Sequence, residues 1–506
     1  LWCHLVEKLN NSWDNGSKLT TTLKHGNGVH PTEIKKPDSA PLLKAARLFP
    51  PAKGVFLVGG CVRDLLIGEQ PADYDIAVSG APESYAQKLA RRHGGRPIAL
   101  GPQRHRIFRV VAGDQIFDVS PLAGDAITAD LQKRDFTFNA MAFDLIGQVL
   151  IDPANGLEDL DKRVVRMVSS AAFADDPLRQ LRAFRLAAQF GCRIDPQTLD
   201  AIKTAAGSIA VCAGERIRAE LLKMLAVSKS ADLLDQMAES GLLYAILPEL
   251  LPLKDCRQNT HHSFDVWTHT LAAYRRLEAT FDPENRYKGT ALTGRAAAGL
   301  HNSGRIGLLK MALLLHDVGK PATRRLDAQG QIHFYGHGRR GALVATAICQ
   351  RLKFSRRETE YVRSVVKNHN RPLFLFLLNV ENKLSNRAVA RFFIQCGETT
   401  PDILLHAIAD FAGKRPTPGK DFTAFAGFAE TLLERYYDTH TKRAARPGLI
   451  TGHDLAAAFN LPPSPLYKKL LARVETARLA GEISGKSEAL ALVRRLLDGT
   501  GLSPRH

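Results

Sequence analysis

The stretch GVFLVGGCVRD, residues 54–64, decides the fold of the first third of this chain. An apolar run that ends in two glycines is typical of a buried strand leading into a tight turn, and the charged residues after it open a short helix. The stretch DYDIAVS, residues 73–79, predicts a second strand. Asp73 and Asp75 are two residues apart in that stretch, so their side chains should leave the same face of the strand.

The segments that follow predict the rest of a small mixed sheet. Residues 106–122 read as a hairpin with its turn near Gly113, and residues 138–153 read as another. After Asp175, apolar residues recur every three or four positions to the end of the chain, which is the helical period. The fold class is therefore α+β, with a mixed-sheet head followed by an all-α body.

The length of 506 residues suggests several domains, and the texture of the sequence places their boundaries. Residues 280–305 are rich in Gly and Ala and predict a loop or insertion, and GKRPTPGKD at 413–421 predicts a linker. The expected regions are a disordered arm at 1–50, a head at 51–173, a helical neck at 174–258, a metal-binding helical domain at 259–415 and a helical tail at 416–506.

The acidic pair and the glycines predict a site for a metal ion and a phosphate chain. Two adjacent carboxylates repel each other unless a cation lies between them, and Mg²⁺ prefers carboxylate and phosphate oxygens. Gly59 and Gly60 would let the backbone approach a triphosphate, and Arg63 could pair with its oxygens. Asp118 in the later strand is a candidate third carboxylate beside Asp73 and Asp75.

The ordered set GGCVRD followed by DYD resembles the head of the class II tRNA nucleotidyltransferase and bacterial poly(A) polymerase family, which carries GGxVRD and then DxD. The stretch LQKRDFTFNAMAFD, residues 131–144, is similar to the second motif of the family. The resemblance implies that Arg134, Asp135 and Asn139 contact the ribose and triphosphate of the incoming nucleotide. Lys133 stands where the family usually has an arginine, which keeps the charge but loses the bidentate fork.

A base-reading helix is predicted from Asp176 followed by Pro177, an ordinary helix start. Asp176 and Arg179 are three apart, and aspartate only accepts hydrogen bonds whereas arginine only donates them. Such a pair matches cytosine and adenine and mismatches guanine and uracil, and the segment resembles the family motif EDxxR. Arg182 and Arg185 continue a basic face that would contact nucleotide or RNA. Residues 215–220 resemble the ERxxxE motif and should brace the neck.

A second metal set follows the order His, His-Asp, Asp and resembles the HD metal-dependent phosphohydrolase superfamily. Imidazoles together with carboxylates suit Mn²⁺, Fe²⁺, Co²⁺ or Ni²⁺, and such a metal could bind phosphate and activate water. The expected ligands are His269, His316, Asp317 and Asp410, with His337 and His369 where dinuclear members carry extra ligands.

Charge and cysteine content indicate the partner and the compartment. Lys and Arg number 69 and Asp and Glu 51, a formal charge of +18 that favours a polyanionic partner such as RNA. The seven cysteines form no CxxC pair, which fits a reducing cytoplasm. There is no apolar stretch long enough to span a membrane.

The resemblance implies addition of CMP and AMP, from CTP and ATP, to the 3′ end of tRNA with Mg²⁺ in the head. Three alternatives stay open: poly(A) polymerase activity, addition of CC only or A only, and an HD phosphohydrolase whose head has lost its catalytic activity. Partial addition is suggested by the short connection between Pro121 and Asp130, where full CCA-adding members usually carry a long flexible loop. A module that only binds RNA would need neither metal set.

Overall fold

The computed structural model describes residues 38–101, 106–258, 264–281, 291–414 and 422–498. Its first part is a head built on one mixed sheet, in which helices cover the strands and connect them. The elements of the head are α1 Ala40–Ala46, β1 Val55–Val58, α2 Gly60–Leu66, β2 Tyr74–Val78, α3 Pro82–His93, β3 Pro97–Leu100, β4 Ile107–Ala112, β5 Gln115–Pro121, α4 Ile127–Gln132, β6 Ala142–Asp144, β7 Leu150–Ile151 and α5 Gly156–Asp161.

The seven-stranded sheet has the order β3-β4-β5-β2-β1-β6-β7. Strands β2 and β5 run parallel, and the other neighbouring pairs run antiparallel. The predicted hairpins β4–β5 and β6–β7 are both present. Because β2 and β5 are parallel neighbours, Asp75 lies directly opposite Asp118 in register, although 43 positions separate them (118 − 75).

The disordered arm predicted over residues 1–50 extends too far toward the C-terminus, because residues 40–49 are folded against the head. Helix α1 packs Leu42 and Ala45 into the core of the head, and Phe49 lies against Tyr74 and Phe117 with ring centroids 5.5 and 5.8 Å apart. The apolar side chains of this short segment remove enough surface from water to hold it in place. Residues 1–37 lie outside the described part of the chain.

The helical body begins with a neck and continues into the domain that holds the histidine set. The neck comprises β8 Val164–Val165, α6 Ala172–Asp175, α7 Arg179–Phe190, β9 Arg193–Ile194, α8 Pro196–Ala205, α9 Gly214–Leu225, α10 Ala231–Glu239 and α11 Leu242–Ile246. The next domain comprises α12 Val266–Phe281, α13 Ala291–Asn302, α14 Ile306–Leu315, α15 Lys320–Thr323, β10 Arg325–Leu326, β11 Ile332–His333, α16 His337–Arg351, α17 Arg356–Asn368, α18 Arg371–Val380, α19 Asn386–Cys396, α20 Thr400–Ala412 and α21 Phe422–Glu434.

The last part contains a π-helical turn and a small helical unit. Its elements are the π turn Arg435–His440, α22 Thr441–Ala444, α23 Gly452–Phe459, α24 Pro465–Leu479 and α25 Lys486–Asp498. One continuous apolar core runs from Leu42 to Tyr436, and residues 450–497 form a separate core. None of the helices in the described part has the length and apolarity needed to cross a lipid bilayer.

Two predictions for the body are corrected. The loop expected at 280–305 contains helix α13, whose Ala296 and Leu300 are buried, because tertiary packing overrides the low helix preference of its glycines. The helix expected to begin at Pro177 begins at Arg179, since Asp176 Oδ1 accepts the backbone N–H of Leu178 at 3.2 Å and closes a turn there. The linker predicted at 413–421 falls largely outside the described residues.

Candidate active site

The acidic residues predicted from the sequence meet at one edge of β2. Asp75 and Asp118 are direct neighbours on the parallel strands, and Asp73 precedes β2 by one residue. Burial, together with the charge of Asp73, raises the pKa of Asp75 to about 6, and the Arg134 guanidinium opposes the shift. Three carboxylates with one raised pKa form a concentration of negative charge that a divalent cation would relieve.

Gly59 lets the chain pass close to this cluster. Its φ of +78° lies in the region that favours glycine, and a Cβ there would stand 2.5 Å from a terminal nitrogen of Arg134 and 3.6 Å from Oδ2 of Asp75. A Cβ on Gly60, the first residue of α2, would lie 3.5 Å from a terminal nitrogen of Arg63. The glycine pair therefore brings backbone, arginine and carboxylate together within a few ångströms.

Two basic residues around the cluster are held by neighbouring carboxylates. Arg109 on β4 donates two hydrogen bonds to Asp118, at 2.8 and 2.6 Å. Arg134 donates two to Asp130 on α4, at 3.2 and 3.1 Å, which turns its guanidinium toward Gly59. Asp118 is thus neutralised by a partner in this state, whereas Asp73 and Asp75 have no ion pair among the described residues.

A hydrogen-bonded chain joins the head to the neck through the residues of the second motif. Arg63 Nη1 donates to Asn139 at 2.6 Å, Asn139 Nδ2 donates to Asp135 at 3.1 Å, and Arg182 pairs with Asp135 at 2.8 Å. Arg63, Asp135 and Asn139 are all more than nine-tenths buried. The buried network fixes the orientation of helix α7 relative to the head.

Arg63 is placed differently from the phosphate-binding role that the sequence indicates for it. Its other nitrogens donate to Asp64 at 2.9 and 2.6 Å, and its guanidinium lies 4.4 Å from the ring centroid of Phe190. All its donors point to protein groups because α2 packs against the end of α7, so Arg63 braces the site rather than reaching a phosphate.

The predicted base-reading pair lies at the start of α7, where the backbone N–H of Arg179 donates to the backbone oxygen of Asp176 at 3.0 Å while the two side chains have other partners. Asp176 Oδ2 pairs with Arg216 at 2.8 Å. Arg179 donates to the backbone oxygen of Lys133 at 2.9 Å and to that of Ala172 at 3.3 Å. Both side chains are therefore fixed beside the second motif. Arg179 is thereby attached to the segment that carries Arg134, whose guanidinium lies beside Gly59 and the acidic edge.

Arg185 is held inside the neck instead of on an open basic face. It pairs with Glu220 at 2.5 Å and donates to Gln189 at 2.6 Å, and burial lowers its pKa. Together with the Arg216–Asp176 pair, this shows the residues of the ERxxxE segment bracing the neck as predicted. Arg182 remains exposed.

The histidine set forms two adjacent groups of three potential ligands. In each group the ligand atoms lie within 4.8 Å of one another: His269, His316 and Asp410 in the first, Asp317, His337 and His369 in the second. Asp317 lies between the two groups, with Oδ2 3.0 Å from His316 Nε2 and 3.9 Å from His269 Nε2, and Oδ1 3.4 Å from His337 Nε2. His269 Nε2 and Asp410 Oδ1 are 2.9 Å apart, and the rings of His316 and His369 are separated by 5.1 Å.

The electrostatics of this buried set suit a cation. Asp317 and Asp410 are completely buried, and the neighbouring cationic and imidazole groups hold the pKa of each well below its usual range, although burial alone would raise it. Burial and the neighbouring His316 lower the pKa of His406 to about 3. Nε2 of His316 and both ring nitrogens of His406 have no hydrogen-bond partner within the described residues.

Sequence reasoning missed several residues of both sites, and some of them carried a signal. Arg109 could have been found from the hairpin, because a turn at 113–114 puts it opposite Asp118. His406 precedes Asp410 by four positions on α20 and so shares its helical face. Asp130 precedes Arg134 by four positions and Lys320 follows Asp317 by three, so spacing gave a signal for both. Lys320 Nζ lies 2.6 Å from Asp317 Oδ2 and supplies positive charge to the second group.

Three family models match this chain in succession. The model of the poly A polymerase head domain matches residues 55–166. That of a probable RNA- and SrmB-binding site of polymerase A matches 191–253, and that of the HD domain matches 261–393. The matches cover the acidic edge, the neck and most of the histidine set, while Asp410 lies beyond the last of them.

Curated relatives are similar over most of their length. The chain is 34% identical to an A-adding tRNA nucleotidyltransferase of Deinococcus radiodurans, over 89% of this chain and 97% of the relative. It is 32% identical to a CC-adding tRNA nucleotidyltransferase of Thermus thermophilus, over 87% and 93%. A multifunctional CCA protein of Xylella fastidiosa is 31% identical, over 71% of this chain and 84% of its own.

Solved structures share the fold. A Thermotoga maritima CCA-adding enzyme complexed with tRNA has a TM-score of 0.57 at 20% identity, covering 88% of this chain and 91% of that one. A CCA-adding enzyme in complex with ATP has a TM-score of 0.60 at 19% identity, covering 89% and 91%.

Proposed function

Because this chain belongs to the tRNA nucleotidyltransferase family, we propose that it adds CMP and AMP, from CTP and ATP, to the 3′ end of tRNA without a nucleic-acid template. The observation that carries the proposal is the acidic edge, where Asp75 and Asp118 are neighbours on parallel strands next to Asp73. In the reaction, the 3′-hydroxyl of the RNA loses its proton to solvent and its oxygen bonds to the α-phosphorus. The bond between the α-phosphorus and the oxygen that bridges the α- and β-phosphates breaks, and pyrophosphate leaves with that oxygen and its negative charge.

Mg²⁺ is the ion that Asp73 and Asp75 would hold, with Asp118 beside them. The fit rests on oxygen-only donors and on the raised pKa of Asp75, which is caused first by burial and then by the charge of Asp73. When bound, the ion stabilises the charge on the phosphate oxygens. The charges of Arg134 and Arg182 act to lower the pKa of Asp75, and these two side chains would contact the phosphates of the nucleotide.

Selection of the base would fall to Asp176 and Arg179. Arg179 is tied to the backbone of Lys133, and Asp176 to Arg216, so the pair is oriented before any nucleotide arrives. Such orientation reduces the entropy that nucleotide binding must overcome. The predicted cytoplasmic location is supported by the cysteines, since all six that the structure describes carry free thiols.

Substitution of Asp75 by asparagine tests whether the acidic edge of the head is the site of nucleotidyl transfer. Since the folded-state pKa of Asp75 is raised, its ionised form destabilises the fold at pH 7, and an amide should leave the Tm equal or higher. Incorporation of CMP into tRNA lacking its end should fall by at least about 10³-fold, because several kcal/mol of charge stabilisation are lost.

Asp114→Asn is the matched control, an exposed carboxylate at the turn of the β4–β5 hairpin in the same sheet, and it should incorporate normally. Mg²⁺ should raise the Tm of the wild type and of Asp114→Asn but not of Asp75→Asn. Near-normal incorporation by Asp75→Asn would refute the assignment of this edge.

A second candidate activity, hydrolysis of phosphate esters, is favoured by the two ligand groups of the HD domain. Mn²⁺, Fe²⁺, Co²⁺ or Ni²⁺ would be held by His269, His316 and Asp410, and a second ion by Asp317, His337 and His369. The buried ring nitrogens of His406, which have no hydrogen-bond partner among the described residues, support a metal-binding role, because buried polar atoms normally have partners. A bound ion would supply activation of water for attack on phosphorus.

A further inference from the structure

A cavity of about 190 Å³ lies where the HD domain meets the C-terminal helical unit. We call it the junction cavity. Helix α19 forms one wall, the π turn and α22 form another, and the end of α24 closes it. Its lining residues are Asn386, Val389, Ala390, Phe393, Arg435, His440, Arg443, Leu479 and Ala480. It is separate from both the acidic edge and the histidine set.

Two arginines, Arg435 and Arg443, line the same wall of the junction cavity, and no carboxylate lies among the lining residues. Arg435 donates to Asn386 Oδ1 at 2.9 Å, and Arg443 donates to the backbone oxygen of Leu479 at 3.2 Å. Neither guanidinium forms an ion pair with a described carboxylate, and no acidic residue is among the lining residues. Burial and the charge of Arg443 lower the pKa of Arg435, so the two cations repel each other.

The π turn brings a buried histidine to the same wall. His440 follows Arg435 by five positions, the spacing that a π turn aligns, and single π turns occur frequently at functional sites. His440 is more than nine-tenths buried against the rings of Phe393 and Tyr436, at centroid distances of 5.0 and 5.7 Å. Its Nδ1 has no hydrogen-bond partner within the described residues.

The backbone at the end of helix α24 approaches Arg443 closely. Gly481 has a φ of +78°, which favours glycine, and its Cα side faces Arg443, whose Nη1 would lie 2.8 Å from a Cβ placed there. Arg478 Nη1 in turn donates to the backbone oxygen of Arg443 at 2.7 Å. The position of Arg443 is therefore defined from two sides while its charge stays uncompensated by a carboxylate.

We propose that the junction cavity is a phosphate-binding site and that it holds one backbone phosphate of the bound tRNA. Two guanidiniums, the amide of Asn386 and a neutral imidazole match a tetrahedral oxyanion that accepts several hydrogen bonds. Arg435 and Arg443 are half-exposed, so a phosphate can enter while its chain continues outside. The assignment to RNA, rather than to free phosphate, rests on the proposed function and on the charge of +18.

Binding of labelled tRNA to Arg435→Gln and Arg443→Gln, followed by fluorescence anisotropy, tests the proposal. Each variant should raise the Kd about 3- to 10-fold and reduce the slope of log K against log salt by about 1, as for one lost phosphate contact. Arg446→Gln, an exposed arginine three positions beyond Arg443, removes the same charge outside the cavity and should change the Kd less than about 2-fold.

The Asn386→Asp variant distinguishes a loss of phosphate binding from a loss of structure. It puts a carboxylate into the cavity, which should pair with Arg435 and preserve the Tm, yet weaken tRNA binding by repelling the phosphate. If Arg435→Gln, Arg443→Gln and Asn386→Asp all bind tRNA as the Arg446→Gln control does, the RNA site is refuted.

Inorganic phosphate distinguishes the two sources of the anion. If it raises the Tm of the wild type but not of Arg435→Gln, while tRNA affinity is unchanged by the substitution, the cavity binds free phosphate and the RNA assignment is overturned. CMP incorporation at saturating tRNA should stay at the wild-type rate in all these variants. A failure of the phosphate-site proposal can thus be distinguished from a failure of the proposed nucleotidyl transfer, which the Asp75→Asn variant tests.

Discussion

Single charged residues take different roles in this head according to how many of their hydrogen-bonding groups are already used. Arg63 has the motif position of a phosphate ligand, yet it is 7% exposed and bonded to Asp64 and Asn139. Asp73 and Asp75 have no such partners among the described residues, so they retain the capacity to bind an ion. Burial with complete pairing makes a charged group structural, and proximity without pairing leaves it reactive.

Base choice is the prediction at this scale. The double variant Asp176→Ala/Arg179→Ala should lose preference for CTP and ATP over UTP and GTP, because two charged hydrogen bonds to the base disappear. Each such bond is worth roughly 1.5–3 kcal/mol, or about 10- to 150-fold in kcat/KM discrimination. Arg193→Ala, an exposed basic residue elsewhere in the neck, serves as the control. Unchanged selectivity in single-nucleotide incorporation would place base reading in other residues.

Among the elements, the connection between β5 and α4 has the most direct consequence for the product. It spans only residues 122–126 and is pinned at both sides. Leu122 N donates to the backbone of Val78 at 3.1 Å, Ala123 N donates to Asp130 at 2.9 Å, and Lys133 Nζ bonds to the Ala123 oxygen. Such a connection has little freedom to reposition Lys133, and with it Arg179, between one nucleotide and the next.

The pinned connection favours products that end in CC. When CTP and ATP are supplied together, we expect CC ends to accumulate ahead of CCA ends, because adding the terminal A requires the base-reading residues to move. Lys133→Met removes one of the contacts and should increase the ratio of CCA to CC, whereas Lys88→Met on the exposed face of α3 should not. Sequencing of the product ends decides this. Complete CCA synthesis with no CC intermediate in the wild type would contradict it.

At the scale of the whole molecule, the head and the HD domain share one core but hold separate sets of metal-binding groups. The buried Lys310 of α14 bonds to Glu278 of α12 at 2.7 Å and to the backbone of Val227 in the neck. Arg218 of α9 pairs with Glu358 of α17 at 2.6 Å. The neck is thereby attached to the HD domain by both a buried and a surface contact, so the two sites keep a defined spatial relation.

The two sites should be separable by metal and by substitution. Mn²⁺ or Ni²⁺ added to metal-free protein should stabilise the fold by about 2.7 kcal/mol at one hundred times the Kd. His316→Ala should lose this stabilisation and hydrolysis of a phosphomonoester such as p-nitrophenyl phosphate, but keep CMP incorporation, and Asp75→Asn should do the reverse. His453→Ala, an exposed histidine in the tail, should behave as wild type. Equal metal stabilisation of His316→Ala would rule out the HD site.

The sequence by itself determined the parts of this protein that depend on near neighbours. The buried strand predicted from the apolar run at residues 55–58, the strand at 74–78, the glycine turn that opens α2 and the helical period after Asp175 all appear in the structure as predicted, because backbone propensity and amphipathicity act over a few residues. The short motifs also sufficed to indicate the family, which the similarity to tRNA nucleotidyltransferases then showed.

Only the tertiary structure decided which distant residues share a site. Asp118 reaches Asp75 through the parallel pairing of β2 and β5, and His337 on α16 comes within 3.4 Å of Asp317 because α16 packs against the end of α14. Likewise Arg63 is buried by the neck, and residues 291–302 become a helix through contacts with the HD core. These outcomes depend on the packing of segments far apart in the chain, and local sequence patterns carry no information about which segments will meet.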